Sequence, residues 1–360
     1  MKRDRYIRQT SLKDFGPEKQ EMLLRARVLV VGVGGLGIPV LQYLKAMGVG
    51  LLGLVEQDVI ELSNLQRQVI YGESDIGKSK LDTAAEKLKG MNSETVIQTH
   101  DTFLTRSNAL EILSGYDLIV DASDNFATRY LINDACVILD KPFVSGAIHG
   151  FEGQVSVFNY QEGPTYRCLF PSPPEQGFIQ DCNVNGVLGV IPGIIGTLQA
   201  MEVVKVITRM PGILKGKLLL YDGIDQSIRH ISFPVIEANK TRKALEPRYD
   251  PEDCSRVPVI SVEKLHRELR ENREKTYLVD VRSHAEYDLN GLVEAVHIPL
   301  EALESSTEEI PSDKTVYFIC RSGTRSLVAA KYLIESRSSG SVFSVEGGIE
   351  AWEKQFGILG

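Results

Sequence analysis

The feature that most constrains the fold is Gly32-Val33-Gly34-Gly35-Leu36-Gly37, which follows the apolar run 27–31 and opens a helical pattern from about Ile38 to Met47. An unbroken run of Val and Leu predicts a buried parallel strand, and clustered glycines allow a tight strand-to-helix turn. Such a turn lets backbone approach a phosphate, while the helix N-terminus supplies N–H donors and positive dipole. A second strand, 51–56, ends at Glu56, 19 residues past Gly37, where an acidic side chain can hold ribose hydroxyls. Helix 79–90 with strand 95–99, then helix 106–113 with strand 117–123, continue the alternation. The expected fold is α/β, a doubly wound and mostly parallel sheet. After Gly150, GQVSVFNY and KLLLYDG read as antiparallel strands covering one side.

The glycine turn alone suits a nicotinamide or flavin dehydrogenase equally well. Its neighbours argue otherwise. Asn64-Leu65-Gln66-Arg67-Gln68 follows the acidic strand end and Asp58, and Lys80 opens the next helix. One guanidinium and one ammonium exceed what a diphosphate needs, and suit a triphosphate from which pyrophosphate departs. Asp121, Asp124 and Asn125, in DASDN, end another strand at the same sheet edge, where a carboxylate can hold magnesium against phosphates.

A length of 360 residues accommodates two domains. A net charge of -8, with no Lys/Arg block, excludes general nucleic-acid binding. The charged start MKRDRYIRQ is no signal peptide, and Val28 to Val55 is broken by glycines, Pro39 and Lys45, so no membrane span is expected. Five cysteines (Cys136, Cys168, Cys182, Cys254 and Cys320) without paired spacing suit reduced thiols in the cytoplasm. Cys136 reads as core.

Domain 1–235 is followed by 236–256, a charged stretch with two prolines that reads as a linker, and by a second α/β unit at 257–360. There the strand VYFI runs into Cys320-Arg321-Ser322-Gly323-Thr324-Arg325-Ser326, with a helix after it. This pattern sets a sulfur among backbone N–H groups at a helix N-terminus, with two arginines nearby, and so stabilises an anionic sulfur.

RYIRQ, GVGGLG, DVIELSNLQRQ, GKSK, DASDN, GQVSVF and Tyr166-Arg167-Cys168-Leu169-Phe170 together resemble the ThiF/MoeB (HesA/MoeB/ThiF) adenylyltransferases, relatives of ubiquitin-activating enzymes. The resemblance implies a Rossmann-like domain that uses ATP and magnesium on a ubiquitin-like sulfur-carrier protein. It implies that Gly32, Gly34, Gly35, Gly37 and Glu56 bind the nucleotide with Asp58, Gln68 and Asn125 beside them. Asn64, Arg67 and Lys80 would contact phosphates, Asp124 would hold magnesium, and Arg8 would enter the partner site of a homodimer. The implied reaction is attack of a C-terminal glycine carboxylate on the α-phosphate, catalysed by positioning and charge. Glu56 stands where Asp is usual in the family. Family members often carry two Cys-x-x-Cys pairs for zinc; here Thr165 replaces one cysteine, Cys168 remains, and the second pair is missing, so no zinc is expected. Cys182 resembles a reactive loop cysteine of some relatives, with packed hydrophobe as the alternative.

From 257 onward, Asp280-Val281-Arg282, Ala285-Glu286-Tyr287, His297-Ile298-Pro299-Leu300 and Glu346 to Trp352 resemble a rhodanese domain. That resemblance implies that Cys320 carries sulfane sulfur as a persulfide. Phosphatases share this fold, but four residues separate Cys320 from Arg325, one fewer than a phosphate-sized loop has. The fusion implies a route to a protein thiocarboxylate: persulfide attack on the acyl-adenylate, then reductive release by Cys182. The linker is expected to let the sulfur loop reach either site of the dimer. A cysteine desulfurase or thiosulfate would donate sulfur. Thiamine and molybdopterin pathways both remain open, as do tRNA thiolation and cysteine synthesis. So does adenylation of a different carboxylate or tRNA-linked substrate with independent thiosulfate sulfurtransferase activity.

Overall fold

Eight strands of the first unit form one sheet in the order β3-β2-β1-β4-β5-β6-β7-β8. They are β1 Arg27–Val31, β2 Leu51–Glu56, β3 Val96–Asp101, β4 Leu118–Asp121, β5 Phe143–His149, β6 Glu152–Phe158, β7 Lys217–Asp222 and β8 Ser227–Ser232. A computed structural model describes residues 3–173, 186–247, 249, 257–336 and 341–357. The first five strands are parallel, and β6, β7 and β8 add antiparallel to their edge. The antiparallel strands thus prolong the sheet rather than cover it. A short connection after β5 permits a hairpin, whereas covering a face would need a crossover.

Both faces of this sheet carry helices, because β1, β2 and β4 are apolar on either side. One core gathers Val28, Val30, Leu41, Leu44, Leu52 and Leu54 with Ile191, Ile195 and Val203. The other gathers Leu29, Val31, Ile119 and Phe143 with Tyr130, Ile132 and Cys136. Cys136 is fully buried, as its apolar setting in the sequence suggests. Helix Val190–Thr208 is long and apolar enough to cross a membrane, but the faces bearing Ile191, Ile195, Gln199 and Val203 are buried in this core. Gly196 serves close packing: a Cβ there would lie 2.4 Å from the Leu36 carbonyl oxygen.

The compact units divide between Asp250 and Pro251. Residues 236–249, the first part of the stretch read as linker, are attached to the first unit where they are described. Asp134, fully buried, accepts a fork from Arg167 at 2.8 and 2.9 Å and a hydrogen bond from the Tyr249 hydroxyl at 2.9 Å, with Arg242 3.3 Å away. A prolyl, charged composition signals irregular chain, yet irregular chain still docks when a buried carboxylate needs partners.

In the second unit five parallel strands run in the order β11-β10-β12-β13-β9. They are β9 Val259–Ile260, β10 Thr276–Asp280, β11 Ala295–His297, β12 Thr315–Ile319 and β13 Val342–Val345. Two cores again lie on opposite faces, one around Phe318 and Leu333, the other around Tyr317, Leu265 and Trp352.

Candidate functional sites

The glycine turn sits at the C-terminal edge of the first sheet, between the ends of β2 and β4. The Gly32 N–H donates to the Val55 carbonyl at 3.0 Å, and the Ala122 N–H donates to the Val31 carbonyl at 3.0 Å. Gly32 has a φ of +97°, and a Cβ there would lie 2.7 Å from the Ala122 carbonyl oxygen. At Gly37, where helix Gly37–Met47 begins, a Cβ would lie 2.0 Å from the Gly32 carbonyl oxygen. Those two glycines are steric necessities of the turn. Gly34 and Gly35 are different: what a Cβ would meet is Gln68 at 3.5 Å and Pro192 at 3.0 Å with Arg67 at 3.5 Å. They leave the mouth of the turn open and bring Arg67 and Gln68 beside it.

Glu56 is buried, and its carboxylate accepts N–H groups of Val33 at 3.0 Å, Gln57 at 3.0 Å and Asp58 at 3.1 Å. Those three bonds fix its orientation and leave lone-pair capacity for a ribose hydroxyl. Lys80, buried at the start of helix Lys80–Lys89, points its ammonium at Asp58 Oδ2, 3.1 Å away. Arg67 donates to the Ser63 carbonyl at 2.9 Å and borders an open apolar hollow of about 500 Å³ with Pro39, Val69, Val190 and Ile194. Asn64 spends its side chain locally, accepting the Glu61 N–H at 3.1 Å.

The two acids of DASDN have separate jobs. Asp121 is fully buried and accepts from Ser123 N–H at 3.1 Å, Ser123 Oγ at 2.6 Å and Ser145 Oγ at 2.8 Å. Asp124 is exposed and has no side-chain partner among the described residues. Asn125 caps helix Phe126–Ile138 by accepting the Thr128 N–H at 2.8 Å. Arg129, absent from the sequence-based site, is buried behind this loop, bonding the Ser123 carbonyl at 3.1 Å. Its place one turn into a capped helix was the only signal for it.

Arg8 is exposed and lies at the other end of helix Gly37–Met47 from the glycine turn. The Tyr6 hydroxyl beside it accepts from Asn92 at 2.8 Å, and Gln9 donates to the Met47 carbonyl at 3.1 Å. With 11 residues in that helix, the separation is about 16 Å along its axis.

The second site is more compact. Cys320 is buried, and its Sγ accepts the Gly323 N–H at 3.2 Å, with Ser326 Oγ 3.6 Å away. Ser326 bonds Ser344 Oγ at 2.9 Å, and helix Thr324–Ser336 starts directly behind the loop. Gly323 has a φ of +99°, and a Cβ on Gly348 would lie 2.2 Å from the Cys320 carbonyl oxygen. The loop is therefore bounded by the Glu346-Gly347-Gly348 segment, and a hollow of about 230 Å³ opens beside Ser322 and Gly323. Both loop arginines are matched by carboxylates: Arg321 meets Glu350 at 2.6 Å, and Arg325 forks onto Glu286 at 2.6 and 2.7 Å. The Arg325 guanidinium holds the Glu286 carboxyl down to about 2.

The corner around Cys168 is closed by hydrogen bonds. Cys168 Sγ accepts the Ile236 N–H at 3.3 Å, with Thr165 Oγ1 at 3.4 Å and the Asn239 amide at 3.9 Å. One thiol with a hydroxyl, an amide and a peptide N–H does not supply the four N or S ligands of tetrahedral zinc. Among the described residues no three His, Cys, Asp or Glu side chains gather to hold an ion. Cys182 lies outside the described residues.

Comparison with known proteins agrees with this division. The profile of the ThiF family matches residues 6–244, and that of the rhodanese-like domain matches residues 261–355. The adenylyltransferase and sulfurtransferase MOCS3 of Xenopus laevis is 40% identical, over 97% of this chain and 85% of that protein. MOCS3 of Culex quinquefasciatus is 38% identical over 98% and 89%. A sulfur carrier protein adenylyltransferase of Thermus thermophilus is 52% identical over 64% of this chain and 86% of its own. The crystal structure of E. coli MccB, 20% identical, superposes with a TM-score of 0.58 over 70% of this chain and 75% of that one, a likeness of fold.

Proposed function

This chain belongs to the ThiF family and ends in a rhodanese-like domain, and from that premise we propose how its two sites act in succession. It adenylates a sulfur-carrier protein and transfers sulfur through its rhodanese site. In the first step the C-terminal glycine carboxylate of the carrier attacks the α-phosphate of ATP, giving an acyl-adenylate and pyrophosphate. The observation that carries this reading is the placement of Arg67 beside Gly35 and of Lys80 on Asp58, whose N–H shares the Glu56 carboxylate with the Val33 N–H of the turn, because a triphosphate needs both cations and a dinucleotide does not. Exposed Asp124 suits magnesium, which takes one carboxylate together with phosphate oxygens and water; bound there, the ion would neutralise phosphate charge. Arg8 lies a helix length from the glycine turn of its own chain, which supports a homodimer in which it serves the other copy. The setting is the cytoplasm.

In the second step a persulfide on Cys320 attacks the activated carbonyl, and AMP leaves. The resulting acyl disulfide is cleaved at its S–S bond by a thiolate, for which Cys182 is the proposed source. The carrier departs as a thiocarboxylate, and the Cys320–Cys182 disulfide is reduced by an external thiol. Sulfur comes from a cysteine desulfurase or thiosulfate. The carrier serves the molybdopterin or the thiamine pathway. Mass spectrometry of both carriers after incubation with ATP, magnesium and thiosulfate tests the reading. One carrier should gain a sulfur in place of an oxygen; release of pyrophosphate without that gain would refute the second step.

A further inference from the structure

Hydrogen bonds join the glycine turn, the end of β2 and the start of helix Lys80–Lys89 into a closed circuit. The Val33 N–H donates to Glu56 Oε2 at 3.0 Å, and Glu56 Oε1 accepts the Asp58 N–H at 3.1 Å. The Asp58 carbonyl accepts the Lys80 N–H at 2.9 Å, and Asp58 Oδ2 accepts from Lys80 Nζ at 3.1 Å. The circuit returns through Tyr71, whose hydroxyl lies 3.1 Å from the Lys80 carbonyl oxygen and 3.0 Å from the Val33 carbonyl oxygen. Nothing in the glycine pattern points to Tyr71, which is buried 34 residues past Gly37. Burial above all, then Glu56 and Asp75, raise its pKa, so its hydroxyl stays protonated and a donor.

A peptide unit is planar, so anchoring the Val33 carbonyl turns the Gly34 N–H to the opposite side. The Val33 N–H is anchored by Glu56, so both peptide units that flank Val33 are set before a nucleotide arrives. At its second acceptor the same hydroxyl holds the residue whose ammonium faces Asp58. One proton shared between two carbonyls makes the turn and the lysine depend on each other.

We propose that Tyr71 is a positioning residue for adenylation, locking the glycine turn and Lys80 into a single phosphate cradle. The proposal rests on the reading of that cradle as the ATP site. Calorimetric titration of the full chain with ATP and magnesium tests it on wild type, Tyr71→Phe, Lys80→Met and the double variant. Tyr71→Phe, which removes one oxygen, should weaken ATP about tenfold and leave thiosulfate turnover at Cys320 unchanged. The double variant should bind within about twofold of the weaker single variant, since Tyr71 acts by placing the lysine ammonium that methionine removes. If Tyr71→Phe does not fold, Tyr71→His, whose shorter ring cannot span both carbonyls, carries the test. ATP affinity within about twofold of wild type in either folded variant, or losses that multiply in the double variant, would overturn the proposal. Failure of the wild type to bind ATP would instead overturn the assignment of the site.

Discussion

The adenylation cradle draws its groups from Gly32 to Asn125, whereas the sulfur loop takes its reacting atoms from the seven residues Cys320 to Ser326. The first depends on strands brought together in parallel and on side chains bonded across long stretches of chain. The second depends on one strand end, one helix start and the glycines that face them. Charge is handled differently too. Lys80 in the cradle is held by a half-exposed Asp58 and can be handed to a ligand, while Arg325 in the loop is forked onto Glu286. Both cations are paired, but the single contact on Lys80 yields to a polyanion more readily than the two-bond fork on Arg325.

If the sites are chemically separate, Cys320→Ala should lower thiosulfate turnover by about 10³-fold or more and leave carrier-dependent ATP–pyrophosphate exchange within about twofold. The reciprocal experiment is Lys80→Ala, expected to slow exchange by about 10²–10³-fold with thiosulfate turnover intact. Parallel loss of both activities in either variant would break the contrast. Within the cradle, Gly37→Ala should cost about 3 kcal/mol or more in a thermal melt, because its Cβ would meet backbone at 2.0 Å. Gly34→Ala, facing only a flexible amide at 3.5 Å, should melt near wild type and show its effect in ATP affinity. The smallest expected effect concerns acid. The folded Glu286 carboxyl lies at about 2, below its ordinary 4.5, so its stabilisation is full above pH 4.5 and is lost as pH falls towards 2. Part exposure keeps this to about 1 kcal/mol or less. Glu286→Gln should flatten the acid limb of the second unit's unfolding curve, read by circular dichroism between those pH values.

The contrast also explains what the sequence made legible. The sulfur loop could be read almost whole, because Cys320, Gly323, Arg325 and the following helix are contiguous. Around the glycine turn, the positions of Glu56, Arg67 and Lys80 followed from strand alternation. The link through Tyr71 did not, since a hydroxyl bonded to two carbonyls leaves no composition signal. Arg129 escaped for a related reason: its partners, the Ser123 carbonyl and the nearby Asp121 carboxylate, are specified only by the fold. Helix Val190–Thr208 carries a weak helical signal, because Gly193 and Gly196 lower helical propensity, Gly196 in the service of close packing. The antiparallel edge was recognised as strands but misplaced, since period-two patterns do not say whether a strand extends a sheet or covers it.

Sulfane sulfur migrates between thiols, so a protein that handles it must keep its spare cysteines from collecting it. Cys136 is fully buried, and that burial raises its pKa far above the ordinary thiol range. Cys168 is buried, with its sulfur hydrogen-bonded among Thr165, Ile236 and Asn239. At the Cys320 loop, by contrast, a hollow opens beside Ser322 and Gly323. Burial and a raised pKa together suppress leakage to Cys136, hydrogen bonds occupy the Cys168 sulfur, and the cargo stays on the cysteine meant to deliver it.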